Sequence, residues 1–316
     1  MSVVTAPPGH ASTYLARAAV TAPSAHDTPP WLFVADGDRG VELHADADRR
    51  LLAGPHGRDM VISCGAALFN VRLAMRHLGF KPVEQPFPDP RDPAFLARVA
   101  WGAYARPTPD EERMYGALRR RLTVRGPFLP DPLPSALVGA LREHANEEGA
   151  GLHLVDDSTG RRDLAELVRA GEDAHRANPE RSAHPSRWSR RLTRTRSDGG
   201  PADVGLLHPD RTCPAERDYA ALTRMYPTPP RRWPARTGLV AVLGTDRDDP
   251  PAWLRAGQAL ERVLLAAAAR DVVAAFHTQP LELPPLRDRM RQTLSAGEYP
   301  QMLLRLGYAP GGRAVS

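Results

Sequence analysis

The sequence predicts an α+β fold built from two related halves in one chain. Short apolar runs of strand length alternate with two long Ala- and Leu-rich segments of helical length. One of these segments, GAALFNVRLA from Gly65, aligns with the other, GQALERVLLA from Gly257, and six of the ten positions are identical. Tandem halves at 1–105, where the first copy is truncated, and 106–316 would form an internal pseudo-dimer. Two Ala/Leu helices can also share residues through composition alone, so both interpretations stay open.

The first half is predicted to contain a helix, a hairpin, a second helix and a strand. The first helix covers 14–20. The turn Asp36-Gly37-Asp38 between two apolar runs is typical of a hairpin. The segment 64–79 is apolar almost all round, which predicts a buried central helix. Prolines from Pro82 to Pro93 predict a linker. The predicted strands cover 31–34, 41–45 and 95–102.

The second half begins with a strong helix signal. In Thr108-Pro109-Asp110-Glu111, threonine is a suitable N-cap and glutamate stands three residues later, which is the pattern of a capping box. That helix should end near Arg121. The stretch from His175 to Arg236 is rich in arginine and proline, so it is either mobile or a cover over another part of the protein. The other predicted elements are helices at 135–149, from about 161 and at 253–269, and strands at 152–155, 238–244 and 302–307.

The composition argues against several classes of protein. The net charge is +5, but only Lys81 among 42 basic residues is a lysine and only 6% of residues are aromatic, so no nucleic-acid partner is expected. The longest apolar stretch, 263–276, contains Arg270 and Asp271 and is shorter than the roughly 20 residues that span a bilayer, so no membrane partner is expected. The two cysteines, Cys64 and Cys213, are too few for a disulfide scaffold, which favours a cytoplasmic protein.

Several catalytic motifs are missing from the sequence. It contains no GxxxxGK[ST], no GxGxxG after a strand, no HExxH and no GxSxG. The histidines lack the spacing of metal ligands, so no metal site is expected.

Four sequence blocks together carry a resemblance to a known family. They are APSAHDTPPW at 22–31, CGAALFNVRLAMRHLG at 64–79, HTQPLELPPLRDRMR at 277–291 and YPQMLLRLGYAP at 299–310. In combination they resemble the Acg family of FMN-binding proteins, which belongs to the nitroreductase-like superfamily. The resemblance implies a nitroreductase-like fold with a flavin site at the junction of the two halves.

The resemblance also assigns a phosphate-binding string. Arg121, Thr123 and Arg125 stand where the superfamily has Arg-x-Ser/Thr-x-Arg, which holds the FMN phosphate. Guanidinium groups bind phosphate at two points and a hydroxyl adds another donor. The alternative is that these arginines cap the end of the preceding helix. Arg313 could add a phosphate contact or belong to a tail.

The loop at 22–31 is matched to the polar edge of the flavin ring. Ser24 and His26 keep the family pattern, although Ser24 could equally form a turn and His26 could be a loop histidine. Asp27 stands where asparagine is usual, and its carboxylate can accept a hydrogen bond from flavin N3–H but cannot donate to the carbonyl oxygens. Pro29 stands where glutamine is usual and has no N–H to donate.

A second set of residues is matched to the reactive part of the flavin. Thr278, Gln279 and Pro280 correspond to the strand-to-loop region whose backbone approaches flavin N5 in relatives. A structural loop in the interior would need similar residues.

The function that the resemblance implies is FMN-dependent oxidoreduction. Electrons would pass from NADH or NADPH through FMN to an electron-poor small molecule such as a nitroaromatic or a quinone. No catalytic side chain is assigned, because the flavin carries the chemistry. Two alternatives stay open: a protein that holds FMN under the 175–236 stretch without turnover, and a flavin-free pseudo-enzyme with a stress-response role. Fused halves favour a monomer.

Overall fold

The computed structural model describes residues 10–24, 29–46, 57–124, 128–177 and 238–309. The chain forms two compact units that interleave along the sequence. The first unit contains residues up to 121 together with 136–151 and 245–270, and the second contains 122–135, 152–244 and the residues from 271 onward. The first unit therefore extends past the expected boundary at residue 105 and includes two later stretches. Of the arginine- and proline-rich stretch at 175–236, the part beyond residue 177 lies outside the described residues.

The helices and strands of the described residues follow one another in this order: α1 His10–Ala19, β1 Trp31–Asp36, β2 Gly40–Ala45, α2 Arg58–His77, β3 Phe80–Pro86, β4 Phe95–Tyr104, α3 Pro109–Ala117, α4 Ser135–Glu147, β5 Gly151–Leu154, α5 Ser158–Ala177, β6 Leu239–Thr245, α6 Pro250–Ala268, β7 Val272–Phe276, a short 3₁₀ helix Gln279–Glu282, α7 Pro284–Thr293 and β8 Tyr299–Tyr308. None of these helices has the length and apolar content needed to cross a membrane.

The first unit contains an antiparallel sheet in the order β1-β2-β4-β3. The predicted hairpin is confirmed, because β1 and β2 pair from Trp31 opposite Ala45 to Asp36 opposite Gly40. Trp31 is only 2% exposed and belongs to the core, as the apolar run around it indicates. The predicted capping box of α3 is also confirmed: the Thr108 hydroxyl accepts from the Glu111 backbone, and the Glu111 carboxylate accepts from the Thr108 backbone.

The prediction of a linker from Pro82 to Pro93 is wrong for its first part. Residues Phe80–Pro86 form β3, which pairs only with β4 among the described strands and lies at the edge of the sheet. Proline has no N–H to donate, so it is tolerated in an edge strand, where one row of backbone groups has no neighbouring strand. The register also shifts between Phe80 and Pro82. Proline content predicted a break, whereas the edge position allows a strand.

The predicted buried central helix is confirmed as α2, which packs along α6 in the first unit. The two helices cross at the first glycine of each of the two aligned segments, Gly65 and Gly257. A Cβ added to Gly65 would lie 3.0 Å from the Cα of Gly257, and a Cβ added to Gly257 would lie 2.8 Å from the Cα of Gly65. Each added atom would also overlap a backbone carbonyl of the other helix, at Leu254 and Ile62 respectively. The contact is reciprocal, and glycine at both positions is what permits it.

The second unit contains a sheet in the order β5-β6-β8-β7, in which β7 and β8 are antiparallel. When the strands of each sheet are counted along the chain, both sheets therefore have the same spatial order: first, second, fourth, third. In each case a long helix, α2 or α6, follows the second strand along the chain. One apolar cluster joins α5 to the sheet and to the 3₁₀ helix, and it includes Leu164, Leu167, Val168, Val240, Val242, Leu281 and Leu303.

Candidate functional site

The expected cofactor residues are divided between the two units. Ser24 and Arg121 belong to the first unit, and Thr123 and the loop Thr278 to Pro280 belong to the second. The remaining four, His26, Asp27, Arg125 and Arg313, lie outside the described residues.

Arg121 comes four residues after the last residue of α3, and its backbone N–H donates to the carbonyl oxygen of that residue, Ala117, at 2.9 Å. Its side chain reaches two other parts of the first unit. Nη2 donates to the backbone oxygen of Thr21 at 2.8 Å, and Nε lies 3.6 Å from Oε1 of Glu261 in α6. The side chain is 12% exposed. The guanidinium thus contacts a carboxylate of its own chain, and its contact with a phosphate stays a prediction.

Glu261 is a fully buried carboxyl that the sequence analysis did not single out. Burial raises the pKa of Glu261 to about 8, because an ionised carboxylate is poorly solvated there. The positive charge of Arg121 and the Asn70 side chain of α2 act in the opposite direction and limit the rise of this pKa. The available signal was a single acidic residue within an otherwise Ala- and Leu-rich helix.

Asn70 and Thr21 fix the segment that leads from α1 toward Ser24. The Asn70 amide nitrogen donates to the Thr21 hydroxyl at 3.1 Å and to the Ala18 carbonyl oxygen at 3.3 Å. The Thr21 hydroxyl in turn donates to the Ala18 oxygen at 2.7 Å. Asn70 is completely buried, so these bonds satisfy polar groups in the core. The half-buried Ser24 comes three residues after this anchored threonine.

Thr123 lies in an extended segment beside the edge strand β7 of the second unit. It forms a parallel bridge with Ala274, and the backbone N–H of Val124 donates to the Ala274 oxygen at 2.8 Å. The residue itself is exposed. Its backbone is therefore anchored while its side chain lies at the surface of the unit.

The loop Thr278 to Pro280 follows β7 and leads into the 3₁₀ helix. Just before it, the His277 backbone N–H donates to the Leu303 oxygen of β8 at 3.0 Å, and the Leu281 N–H donates to the Thr278 oxygen at 2.9 Å. Gln279 is 1% exposed, and its side-chain amide nitrogen lies 3.5 Å from the Glu172 carboxylate of α5, to which it donates. The loop is therefore held by β8 on one side and α5 on another.

Within the described ranges, no group of three or more histidine, cysteine, aspartate or glutamate side chains is placed to hold a metal ion. Cys64 is buried in α2, and burial raises the pKa of its thiol well above the usual range.

Comparisons with known proteins identify the family. No family model matches the chain. The protein named "Putative NAD(P)H nitroreductase Rv3131" from Mycobacterium tuberculosis H37Rv is 33% identical over 311 residues, which cover 92% of this chain and 83% of the relative. "Putative NAD(P)H nitroreductase acg" from the same organism is 28% identical over 298 residues, covering 92% and 87%. The chain belongs to the Acg-like nitroreductase family.

Solved structures give a more distant comparison. A nitroreductase with bound FMN from Bacteroides fragilis is 13% identical, covers 64% of this chain and 91% of its own, and has a TM-score of 0.39.

Proposed function

We propose that the chain is an FMN-dependent oxidoreductase that takes electrons from NADH or NADPH and delivers them to an electron-poor acceptor of the nitroaromatic or quinone type. The observation that carries this proposal is family membership across 92% of the chain, with relatives named as NAD(P)H nitroreductases. Bound FMN would supply the hydride and electron chemistry, and the protein would supply binding, orientation and exclusion of competing reactions.

The donor set around residue 121 suits the phosphate of FMN. Arg121 carries a guanidinium, and Thr123, two residues later, has an exposed side chain on an anchored backbone. A planar cation and a hydroxyl are the donors that a phosphate ester accepts from. We assign Arg121, Thr123 and Arg125 to the phosphate, with Arg313 as a further contact.

The remaining assigned residues would orient the ring. Ser24, His26 and Asp27 are assigned to its polar edge, and Thr278 to Pro280 to the side where hydride arrives. Two observations support the assignment of Thr278 to Pro280. The backbone on either side of the loop is fixed by the hydrogen bonds of His277 and Leu281, and Gln279 is shielded from water. A loop that orients a cofactor must be fixed in this way. No side chain is assigned a proton-transfer step.

We also infer that the chain contains two tandem halves related as an internal pseudo-dimer. Two observations support this inference. Both sheets have the same strand order, with a long helix after the second strand. Gly65 and Gly257 also make reciprocal contacts, each against the carbonyl three residues before the other. Reciprocity of this kind is what a two-fold contact between equivalent helices produces.

The visible absorption spectrum tests the cofactor. The spectrum is recorded for the protein as purified, and again after addition of FMN and desalting. Oxidised-flavin bands that survive desalting are expected, and mixing the loaded protein with NADH or NADPH without oxygen should then bleach them. A flat spectrum in both states would contradict the proposal and favour the flavin-free alternative. Retained flavin that neither nucleotide reduces would favour a flavin-holding protein.

Thr123→Val tests the phosphate assignment. The substitution removes one hydroxyl donor and keeps the shape of the side chain. A hydrogen bond to a charged group contributes about 1.5 to 3 kcal/mol, so FMN affinity should fall by at least about tenfold. Affinity for riboflavin, which lacks the phosphate, should not change. Fluorescence titration of both flavins measures the ratio.

Two comparisons make that titration specific. Thr293→Val, at the exposed end of α7, is the matched control and should leave both affinities unchanged. If Thr123→Val weakens FMN and riboflavin equally, the hydroxyl does not contact the phosphate. Arg121→Ala is a poorer test, because it would also leave the buried Glu261 without its neighbouring cation.

A further inference from the structure

Helix α5 lies directly against the loop Thr278 to Pro280, and the point of contact is Gly171. A Cβ added to Gly171 would lie 2.9 Å from the backbone nitrogen of Pro280 and 3.0 Å from the carbonyl carbon of Gln279. Real Cβ atoms do not approach backbone atoms so closely, so any larger residue would push the loop away. The backbone of α5 therefore fixes how far the loop can approach it.

The next residue of α5 makes a polar contact with the same loop. Glu172 is 2% exposed and Gln279 is 1% exposed, and the Glu172 carboxylate accepts from the Gln279 amide at 3.5 Å. Burial of both groups is costly unless they are hydrogen-bonded, so the contact restricts where Gln279 can lie. Gly171 thus restricts the position of this loop by steric exclusion, and Glu172 restricts it by a polar contact.

The rest of the loop has little freedom to compensate for a change in α5. The His277 N–H is bonded to Leu303 of β8 at 3.0 Å. On the other side of the loop, Leu281 is packed in the apolar cluster that contains Leu164 and Leu167 of α5. A displacement at Gly171 would therefore be concentrated in the residues between these two anchors, which are Thr278, Gln279 and Pro280.

We propose that Gly171 and Glu172 are positioning residues, which set the backbone of Thr278 to Pro280 and through it the reactivity of the flavin. This inference rests on the proposed function, which assigns that backbone to the reactive side of FMN. Hydrogen bonds from the protein to a flavin tune its electronics, and a misplacement of about 1 Å can cost about a hundredfold in rate. Neither residue needs to touch the cofactor.

The test compares Gly171→Ala and Glu172→Met with wild type in four measurements. Two use the FMN-loaded protein: the midpoint potential of the flavin, and its rate of reduction by NADPH or NADH without oxygen. The third is FMN affinity, and the fourth is amide hydrogen exchange of the peptide covering 277–283 in flavin-free protein. Gly139→Ala is the control, because it adds a methyl group within α4 where nothing lies within 4 Å.

Both variants should change the potential and slow reduction by about tenfold, while FMN affinity stays within about twofold. Exchange at 278–282 should become faster even without flavin. The control should match wild type throughout. If Gly171→Ala does not fold, Glu172→Met alone decides the question, because it keeps the length of the side chain and removes both acceptor oxygens.

The outcomes separate this inference from the function on which it rests. If wild type retains flavin and both variants keep its potential, reduction rate and exchange, the positioning role is wrong although the function stands. If wild type binds no flavin, the proposed function fails, and the tuning of flavin reactivity fails with it. A fall of FMN affinity in both variants with unchanged potential and reduction rate would indicate a packing role only and would overturn the inference.

Discussion

Among individual residues, Glu261 shows how burial changes the ionisation of a carboxyl group. Its carboxyl is fully buried in α6, with Arg121 Nε at 3.6 Å as the nearby cation and Asn70 contributed by α2. Burial raises the pKa of Glu261 in the folded state to about 8. Between the ordinary pKa of a glutamate and pH 8, the folded protein therefore keeps this carboxyl protonated, whereas the unfolded chain has released the proton. Folding stability contributed by this group therefore falls as pH rises through that interval.

Glu261→Gln should remove this pH dependence. Relative to the variant, the free energy of unfolding of wild type should fall between pH 5 and pH 8. The fall should be about 1.4 kcal/mol for each unit by which the pKa of Glu261 in the folded state exceeds its pKa in the unfolded state. Urea unfolding at pH 5, 6.5 and 8 measures the difference. Glu143→Gln, on the exposed face of α4, is the control for the change in net charge. Parallel curves for wild type and Glu261→Gln would mean that Glu261 keeps the same ionisation in the folded and unfolded states.

The sequence indicated local features of the fold better than the buried residues of the candidate site. The Thr108 cap and the hairpin at Asp36-Gly37-Asp38 follow from local rules, and the structure confirms both. Glu261 and Glu172 were missed, because a single acidic residue in a helix is ordinarily exposed and only tertiary packing reveals that it is buried. Local patterns record which residues are polar, but they do not record what packs against them.

Among the elements, the crossing of α2 and α6 depends most strongly on one residue type. Gly65→Ala and Gly257→Ala should each lower the free energy of unfolding by about 1 to 3 kcal/mol or more, because each methyl group meets backbone that cannot move aside. The double variant should cost less than the sum, since the first methyl group already separates the helices. Urea unfolding of the three proteins gives the comparison.

Gly139→Ala provides the opposite expectation for the same change. It lies in α4 with open space around it, so alanine should stabilise the protein by about 0.5 to 1 kcal/mol through its higher helix propensity.

Strictly additive effects of Gly65→Ala and Gly257→Ala would contradict a shared contact between the helices.

Strand prediction was less successful than helix prediction for a physical reason. Helices α2 and α6 are long and have a consistent apolar character, so their existence was evident. Strand β3 contains prolines that usually mark a linker, and β7 is a five-residue strand that begins four residues after a long apolar helix, where the sequence analysis assigned no element. In both cases the deciding information is the position of the strand in a sheet, which no short window of sequence contains.

For the whole molecule, the interleaving of the two units was the feature least accessible to sequence. Helix α6 belongs to the later half of the chain but folds with the first unit, because its partner in packing is α2. The repeat of Gly65 at Gly257 suggested that the two segments are related, yet it did not indicate that they contact each other. Pairing between segments 192 residues apart is a tertiary property.

The proposed fusion of two halves leads to an expectation for the assembly state. A chain that already contains both copies does not need a second subunit to complete its helix crossing, so we expect a monomer of 34.5 kDa. Light scattering coupled to size-exclusion chromatography measures the mass directly. A stable mass twice as large at low micromolar concentration would contradict this expectation.

The prolines of β3 have a consequence for how the protein behaves when it is concentrated. Pro82 and Pro86 are four residues apart in an edge strand, so both nitrogens lie on the same side of it, and neither can donate a hydrogen bond. An incoming strand from another molecule would find gaps in the row of donors that it needs. Val83 and Tyr104, which are exposed on and beside this strand, would otherwise favour such stacking. The residues that concealed the strand in the sequence therefore protect the folded protein against aggregation along this edge.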